Sequence, residues 1–333
     1  MTLKRCARKE KFVCNSHMAF ITNPCDAMHS TGDACPQILK FHTPHCSLRK
    51  LESFGWNPSV VPAPPHLKRL LKKVGNVSFV ATSRLDAGGE TRFRCNNSEV
   101  HAASQLKLQT NVLFLDDHFR VLSKSIFAPV LCAASNTLMH PQDARLVNLF
   151  GAVIQVTYQS WTRGCYGQIA STVHFEKHRG NIRVVLQNHT KLSAKRNAGL
   201  LRLGNHVVQL EHTAPNMVWS HIDRKRVATK STPFPKSLHN SIHPIHMTTN
   251  DTILGIAHRH YFNSHSPRPD MDGQFPPMLF RFGFSYRTVF YTLDARLNPL
   301  RFSREILFPV RSTSGAIDNS KAESIQFVSS ALM

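Results

Sequence analysis

The stretch HPQDARLVNLFGAVIQVTY, residues His140 to Tyr158, begins polar at Gln142 and Asp143, crosses a mostly apolar segment to Phe150, turns at Gly151 and resumes as alternating apolar and polar residues. A polar leader feeding a short strand and then a second strand is the pattern of antiparallel sheet, in which side chains alternate between faces with a period of two. Four more leaders of this kind occur: Asn57 in NPSVVP, Lys195 in KRNAGLL, Ser241 in SIHPIHM and Glu323 in ESIQFV. They stand about 66 residues apart on average, and a four-stranded blade takes roughly 40 to 50 residues. Each step therefore holds one blade and its loops. The spacing predicts an all-β chain folded as a five-bladed β-propeller whose leaders converge at one mouth of the central axis; a plain β-sandwich uses the same strands.

From residue 54 onward the chain reads as short apolar runs separated by Pro, Gly, Asn and Asp. Strands are expected in NVSFVATSRL, NVLFLDD, FRVLSKSIF, ARLVNLF, AVIQVTYQSW, NIRVVLQN, HVVQLEHT, TILGIAH, TVFYTLDA and SIQFVSSAL. Only HLKRLLKK, after the proline stretch PAPP, reads as a helical turn. The chain ends at Met333, soon after the inner strand of the fifth blade, so that blade is short of strands unless residues 1–50 supply them. The expected division is a poorly ordered basic extension over residues 1–50 and a propeller over 51–333.

Of the 333 residues 41% are hydrophobic, enough to bury a core, and the formal charge is +21. Clustered cations bind polyanions by releasing counterions, but only HLKRLLKK (His66–Lys73) and DRKRVATK (Asp223–Lys230) are concentrated. Neither lies in a nucleic-acid-binding motif, so the charge reads as solvated basic faces with no specific nucleic-acid partner. No run approaches the roughly 18 apolar residues of a membrane span. The amino terminus is basic without an apolar core, so a signal peptide is not expected. Asn76, Asn96, Asn188 and Asn250 begin N-x-S/T sequons, leaving a secretory route and a cytoplasmic one both open. Cys6, Cys14, Cys25, Cys35 and Cys46 are spaced eight to eleven residues apart among four histidines. Zinc ligand pairs stand two to four apart, so no metal is expected.

Several motifs together resemble the five-bladed propeller proteins related to glycoside hydrolases and β-mannoside phosphorylases. In order they are FGWNPSVVPAPPHL, HPQDARLVNLFGAVIQVTY, KRNAGLLRLGNHVVQLEHTAPNMV, ILGIAHRHYF, FGFSYRTVFYTLDARLNPLRFSREILFP and ESIQFVSSAL, covering about residues 54–333. The resemblance implies a carbohydrate-active protein that cleaves or transfers a glycosidic bond at the axial mouth, with a glycan or glycoside as substrate. It implies no cofactor beyond inorganic phosphate as a co-substrate.

QDARLV is similar to the phosphorylase Glu-Asp-Pro-Arg motif, with Asp143 and Arg145 matching and Gln142 and Ala144 departing. Carried over, Asp143 is the general acid and Arg145 a donor to substrate or phosphate oxygens; protonating a leaving oxygen is carboxyl chemistry. Glu323 is the expected second carboxylate, at the start of the last inner strand. In KRNAGLL, Arg196 and Asn197 occupy the polar positions, while Ala198 stands where relatives carry an aromatic platform. ILGIAHRHYF ends in His258, Arg259 and His260, and strand alternation puts the two histidines on one face and Arg259 on the other. Asn57 and Tyr286 complete the expected substrate contacts, although Gly283, Phe284 and Ser285 offer no imidazole beside Tyr286. These departures support an alternative, a non-catalytic glycan-binding propeller. A polyanion-binding protein is a third reading.

Overall fold

The computed structural model describes residues 20–21, 37–38, 56–85, 109–262 and 284–323, excluding 152, 161, 179–180, 195, 224, 235–237, 248–250 and 312–316. Among the described residues the chain is all-β apart from one short helix. Strands β1 (Phe20–Ile21) and β2 (Gln37–Ile38) come first. One sheet is built from β3 (Trp56–Pro62), β4 (Phe79–Leu85), β5 (Gln109–Leu115) and β6 (Val121–Ile126), and a separate hairpin from β7 (Val130–Cys132) and β8 (Thr137–Met139). The second sheet contains β9 (Gln142–Asn148), β10 (Ile154–Ser160), β11 (Gly167–His178) and β12 (Asn181–Lys191). The third contains β13 (Gly199–Leu203), β14 (His206–His212), β15 (Asn216–His221) and β16 (Arg226–Ser231). These three four-stranded antiparallel meanders are the first three blades of a propeller arrangement.

The remaining strands are β17 (His239–Asn240), β18 (Ile245–Met247), β19 (Thr252–Phe262), β20 (Phe284–Leu293), β21 (Pro299–Phe302), β22 (Ile306–Arg311) and β23 (Ile317–Glu323). All of them, with β1 and β2, form a single nine-stranded sheet. The structure thus has four blades where five are expected from the leader spacing. The reason lies at the edge of β20, which β21 occupies at Tyr291–Leu293 and β22 then occupies at Thr288. Strands that would begin a fifth blade are hydrogen-bonded onto the fourth. Two dipeptides from the amino-terminal extension also add to this sheet, Phe20 opposite Glu323 and Gln37 opposite Ile306. The other residues of 1–50, with their cysteines and histidines, lie outside the described residues.

The helix α1 (Pro65–Leu70) forms where proline at its first turn presets φ and where no β-branched residue interrupts. It buries Leu67, and Leu71 at its C-cap, while Lys68, Arg69, Lys72 and Lys73 face solvent, a solvated basic face. No helix among the described residues is long and apolar enough to cross a membrane.

The core lies between successive blades. Val61, Val80, Phe114, Leu146, Val156 and Tyr158 join the first two; Val147, Ala170, Ala198 and Leu200 join the second and third; Leu201, Trp219, Ile253, Val289 and Tyr291 join the third and fourth. Each fully buried large aliphatic side chain contributes roughly 1.5–3 kcal/mol. A disulfide between Cys132 and Cys165 ties the β7–β8 hairpin to the loop after β10, a pairing the cysteine spacing does not announce.

Two glycines allow the blades to close. A Cβ on Gly255 would stand 2.0 Å from the Tyr291 ring, its cross-strand partner, and one on Gly199 would stand 2.6 Å from the Asn240 amide. Replacing Gly255 by alanine should therefore lower unfolding free energy by about 3 kcal/mol, the upper part of the overpacking range. Urea unfolding monitored by tryptophan fluorescence checks this; a loss under about 0.5 kcal/mol would show that Tyr291 does not lie against Gly255.

Candidate functional site

Strand β9 is the inner strand of its sheet and the meeting point of the propeller. On one side it meets the first sheet, where the Leu146 amide donates to Ser59 Oγ of β3 (2.8 Å) and Thr82 Oγ1 of β4 donates to the Ala144 carbonyl (2.8 Å). On the other it sends Arg145 toward the third and fourth sheets. The pairing of β9 with β10 shifts between Thr157 and Gln159, so Asp143 and Ala144 together oppose Tyr158. That β-bulge carries Asp143 at φ 49°, the left-handed region which Asp and Asn tolerate better than other side chains. Bulges bend a strand and re-aim a side chain, and Asp143 emerges half-buried two residues before the buried Arg145.

Arg145 is 4% exposed. Its Nη1 donates to the Asn240 carbonyl (2.8 Å) and its Nη2 to Asn197 Oδ1 (2.9 Å). Burial lowers its pKa to about 10 against the opposing influence of the Asp143 carboxylate, so it stays charged at neutral pH. Asn197 is itself at φ 55° and is held by its amide donating to Gln168 Oε1 (3.0 Å). One cation thus gathers a strand of the second blade, the leader of the third and β17 of the fourth.

His243 fixes the same junction. Its Nδ1 accepts from the Leu200 amide (2.8 Å), which leaves the proton on Nε2 to donate to the Arg145 carbonyl (3.1 Å), with Thr157 Oγ1 at 3.4 Å. Burial, with the Arg145 charge adding to it, lowers His243 to about 4 although the bond to the Arg145 carbonyl favours protonation. Asn240 contributes more than its carbonyl, since its Oδ1 accepts from the Tyr291 hydroxyl (3.3 Å) and its amide donates to the Ile242 carbonyl.

His258 and Arg259 are both buried, on opposite faces of β19. His258 Nδ1 lies 2.7 Å from Ser241 Oγ, and its ring is 5.7 Å from that of His239. His239 has its pKa lowered by burial first and then by the nearby charges of Arg196, Arg145 and His212, which puts the His258 side of β19 on the same side as Arg196 and Arg145. Arg259 turns the other way. Its Nη1 pairs with Glu305 Oε1 at 3.0 Å, as the cross-strand Arg287 does with Glu305 Oε2, and its guanidinium lies over the Phe234 ring. Directly opposed like charges destabilise a sheet, and Glu305 offsets them. The same contact holds the start of β22 on β20, which is the physical reason the fifth blade merges with the fourth.

The structure therefore brings Asp143, Arg145, Arg196, Asn197 and His258 into one group. Arg259 is committed to Glu305. Glu323 closes β23 instead of opening an inner strand, paired with Phe20 and Phe308, so the expected position of the second carboxylate is corrected. Asn57 lies in β3, His260 in β19 and Tyr286 in β20, with His260 and Tyr286 paired to each other. Ala198 is fully buried between blades, so no stacking platform stands at that position. Asn240, His243, Gln168 and Glu305 were not singled out by sequence; His243 alone carried a signal, an imidazole two residues into a polar leader. One surface depression of about 420 Å³ is lined by Asp251, Thr252, Asp294 and Arg296, and another of about 450 Å³ by Ser125, Pro129, His178 and Arg183. Neither includes a member of the axial group. Among the described residues no cluster of three or more His, Cys, Asp or Glu is placed to hold a metal ion.

His243 makes stability depend on pH in a stated window. Its folded value of about 4 lies below the ordinary 6.5, so the unfolded chain takes up the proton first as pH falls. The stabilisation by neutral imidazole is complete above pH 6.5 and is lost progressively toward pH 4, by roughly 3 kcal/mol. Denaturant unfolding at pH 7.5 and 4.5 should show a smaller acid loss in His243→Gln than in the parent. Equal losses would mean that His243 is not the group responsible.

No family profile matches the chain, and no curated protein matches it. Among solved structures it is similar to a protein from Parabacteroides distasonis described as a "putative glycoside hydrolase", at 9% identity and a TM-score of 0.45, covering 78% of this chain and 80% of the other. It is also similar to a protein of unknown function from Bacteroides caccae, at 12% identity, a TM-score of 0.29, and 61% and 65% coverage. A third similar structure is a "putative 6-phosphogluconolactonase" from Bacteroides fragilis, at 11% identity, a TM-score of 0.27, and 59% and 63% coverage.

Proposed function

We propose that the chain is a carbohydrate-active propeller protein that cleaves or transfers a glycosidic bond at the axial mouth, with Asp143 as the proton donor to the leaving oxygen. The observation that supports this most is the bulge in β9. A non-glycine residue held at positive φ costs free energy and persists only where its surroundings impose it, and here that residue is the carboxylate of the motif, next to a buried arginine. Asn197, the other leader residue at positive φ, lies across the same guanidinium. Two locally unfavourable backbone conformations around one cation suit a site better than a turn.

The roles then divide as follows. Arg145, buried and engaged by Asn240 and Asn197, positions Asp143 and sets the local field, in place of a direct contact with substrate. Arg196, exposed at the leader of the third blade, and the half-buried His239 are the donors toward sugar oxygens, with the buried His258 behind His239 and held by Ser241. With Glu323 at the end of β23, acid-only chemistry fits best: an inorganic phosphate oxygen attacks the anomeric carbon from the opposite face while Asp143 protonates the departing oxygen, giving a sugar phosphate and the free leaving alcohol. The buried Ala198 favours a second reading, glycan binding without turnover.

Asp143→Asn separates the two. A general acid acts in the transition state and contributes little to ground-state affinity. The variant should lose at least about 100-fold in release of reducing sugar, or of sugar phosphate when inorganic phosphate is supplied, while glycan affinity by calorimetry stays within about threefold. Undiminished turnover would remove Asp143 from the chemistry. Glycan binding without turnover in the parent protein would establish the second reading.

A further inference from the structure

We propose that Asn188 carries an N-linked glycan, attached as the chain passes through an oxidising secretory lumen. The modified residue lies on the outer strand of the second blade and is separate from the chemistry proposed at the axial group.

Asn188, His189 and Thr190 make up one of the four N-x-S/T sequons and lie in β12, the outermost strand of its sheet. Of the other three, Asn76 is exposed in the turn after α1, while Asn96 and Asn250 lie outside the described residues. The pairing of β12 with β11 shifts between Ala170 and Thr172, so Asn188 and His189 together oppose Ser171. His189 fixes this bulge, its Nδ1 lying 2.7 Å from Ser171 Oγ and 3.4 Å from the Tyr158 hydroxyl. Asn188 takes the left-handed conformation at φ 55° and stays exposed, and among the described residues no hydrogen bond engages its side chain. A bulge re-aims side chains, and here it presents an amide nitrogen to solvent at the outer rim of the blade, the setting a bulky glycan requires. Beyond the bridge from Phe127 to Val184, no strand among the described residues pairs with the outer edge of β12. From Val184 to Thr190 that edge carries no Lys, Arg, Asp or Glu, whereas the outer strands β6 and β16 carry Lys124 and Arg226 with Lys230. Uncharged open edges invite pairing with another chain, and a glycan supplies bulk where charge is missing. The compartment follows from a second observation. Cys132, fully buried, is joined to Cys165 in a disulfide, and disulfides form and persist in oxidising compartments but are rare in the cytosol. In that setting an exposed sequon is an acceptor for glycosylation. In the transfer, Asn188 Nδ2 forms a bond to the anomeric carbon of an oligosaccharide carried on a lipid diphosphate. The bond from that carbon to the diphosphate oxygen breaks, the diphosphate leaves, and Nδ2 gives up one proton.

Expression of the full chain in eukaryotic cells, followed by peptide mass spectrometry, tests the proposal. After treatment with peptide-N-glycosidase in heavy-oxygen water, Asn188 should be found converted to labelled aspartate in most molecules. Alkylation without reduction should find Cys132 and Cys165 joined. Thr190→Ala should abolish the label at Asn188, and Thr190→Ser should keep it, since serine preserves the sequon. Asn188→Gly should also abolish it without loss of folded protein, because glycine takes the left-handed conformation freely. An Asn188 peptide without label, label confined to Asn76, Asn96 or Asn250, label retained at Asn188 in Thr190→Ala, or free thiols at Cys132 and Cys165 would each overturn the proposal.

Discussion

A single buried cation organises this propeller. The Arg145 guanidinium leaves the inner strand of the second blade and donates to the Asn240 carbonyl in the fourth and to Asn197 Oδ1 in the third. Removing a charge from water costs several kcal/mol unless hydrogen bonds and an opposing charge offset it. The acceptors must therefore be in place whenever Arg145 is. That requirement reaches outward: Asn197 is held by Gln168, Asn240 by Tyr291 and Ile242, and the Arg145 carbonyl by His243. Apolar contacts between blades supply most of the stabilisation, but they are tolerant of sliding. The polar junction fixes where the blades stop.

Close approach makes this junction possible. Gly199 lets Asn240 sit against the third blade, and Gly255 lets the Tyr291 ring lie flat across β19 so that its hydroxyl reaches Asn240. A side chain at either place would move Asn240 and with it the acceptor of Arg145. The Arg259–Glu305–Arg287 set plays a parallel part on the other face of β19, where one carboxylate makes two opposed arginines compatible and draws the following strand onto the fourth sheet. Site geometry and blade count thus have related causes, since long-range ion pairs and hydrogen bonds decide both.

This explains what was legible in the sequence. Strands whose apolar residues alternate or run together, such as ARLVNLF in β9 and TILGIAH in β19, announce themselves because burial leaves a local pattern. Strand β11 did not, because GQIASTVHFEKH mixes glycine, hydroxyl and charged residues with its apolar ones. The pair β15 and β16 was obscured by the charged turn between them. Asp143, Arg145 and Asn197 were legible as members of short motifs. Asn240, His243 and Glu305 meet Arg145 or Arg287 from between 18 and 98 residues away in sequence, and nothing local marks such a partner. The fifth blade failed for the same reason. A leader followed by a strand says that a strand forms, but not which sheet edge it joins, and one pairing at Thr288 settles that.

The most direct test of the account is a double-mutant cycle between Arg145 and Asn197, using Arg145→Met and Asn197→Ala with unfolding free energies from denaturant titration. Hydrogen bonds to a charged group contribute about 1.5–3 kcal/mol, and residues sharing a buried network couple by comparable amounts. A coupling energy of about 1.5 kcal/mol or more would show that the guanidinium and the leader asparagine act as one unit across two blades. Additive losses, with coupling below about 0.3 kcal/mol, would contradict the claim that Arg145 holds the blades in register at the mouth.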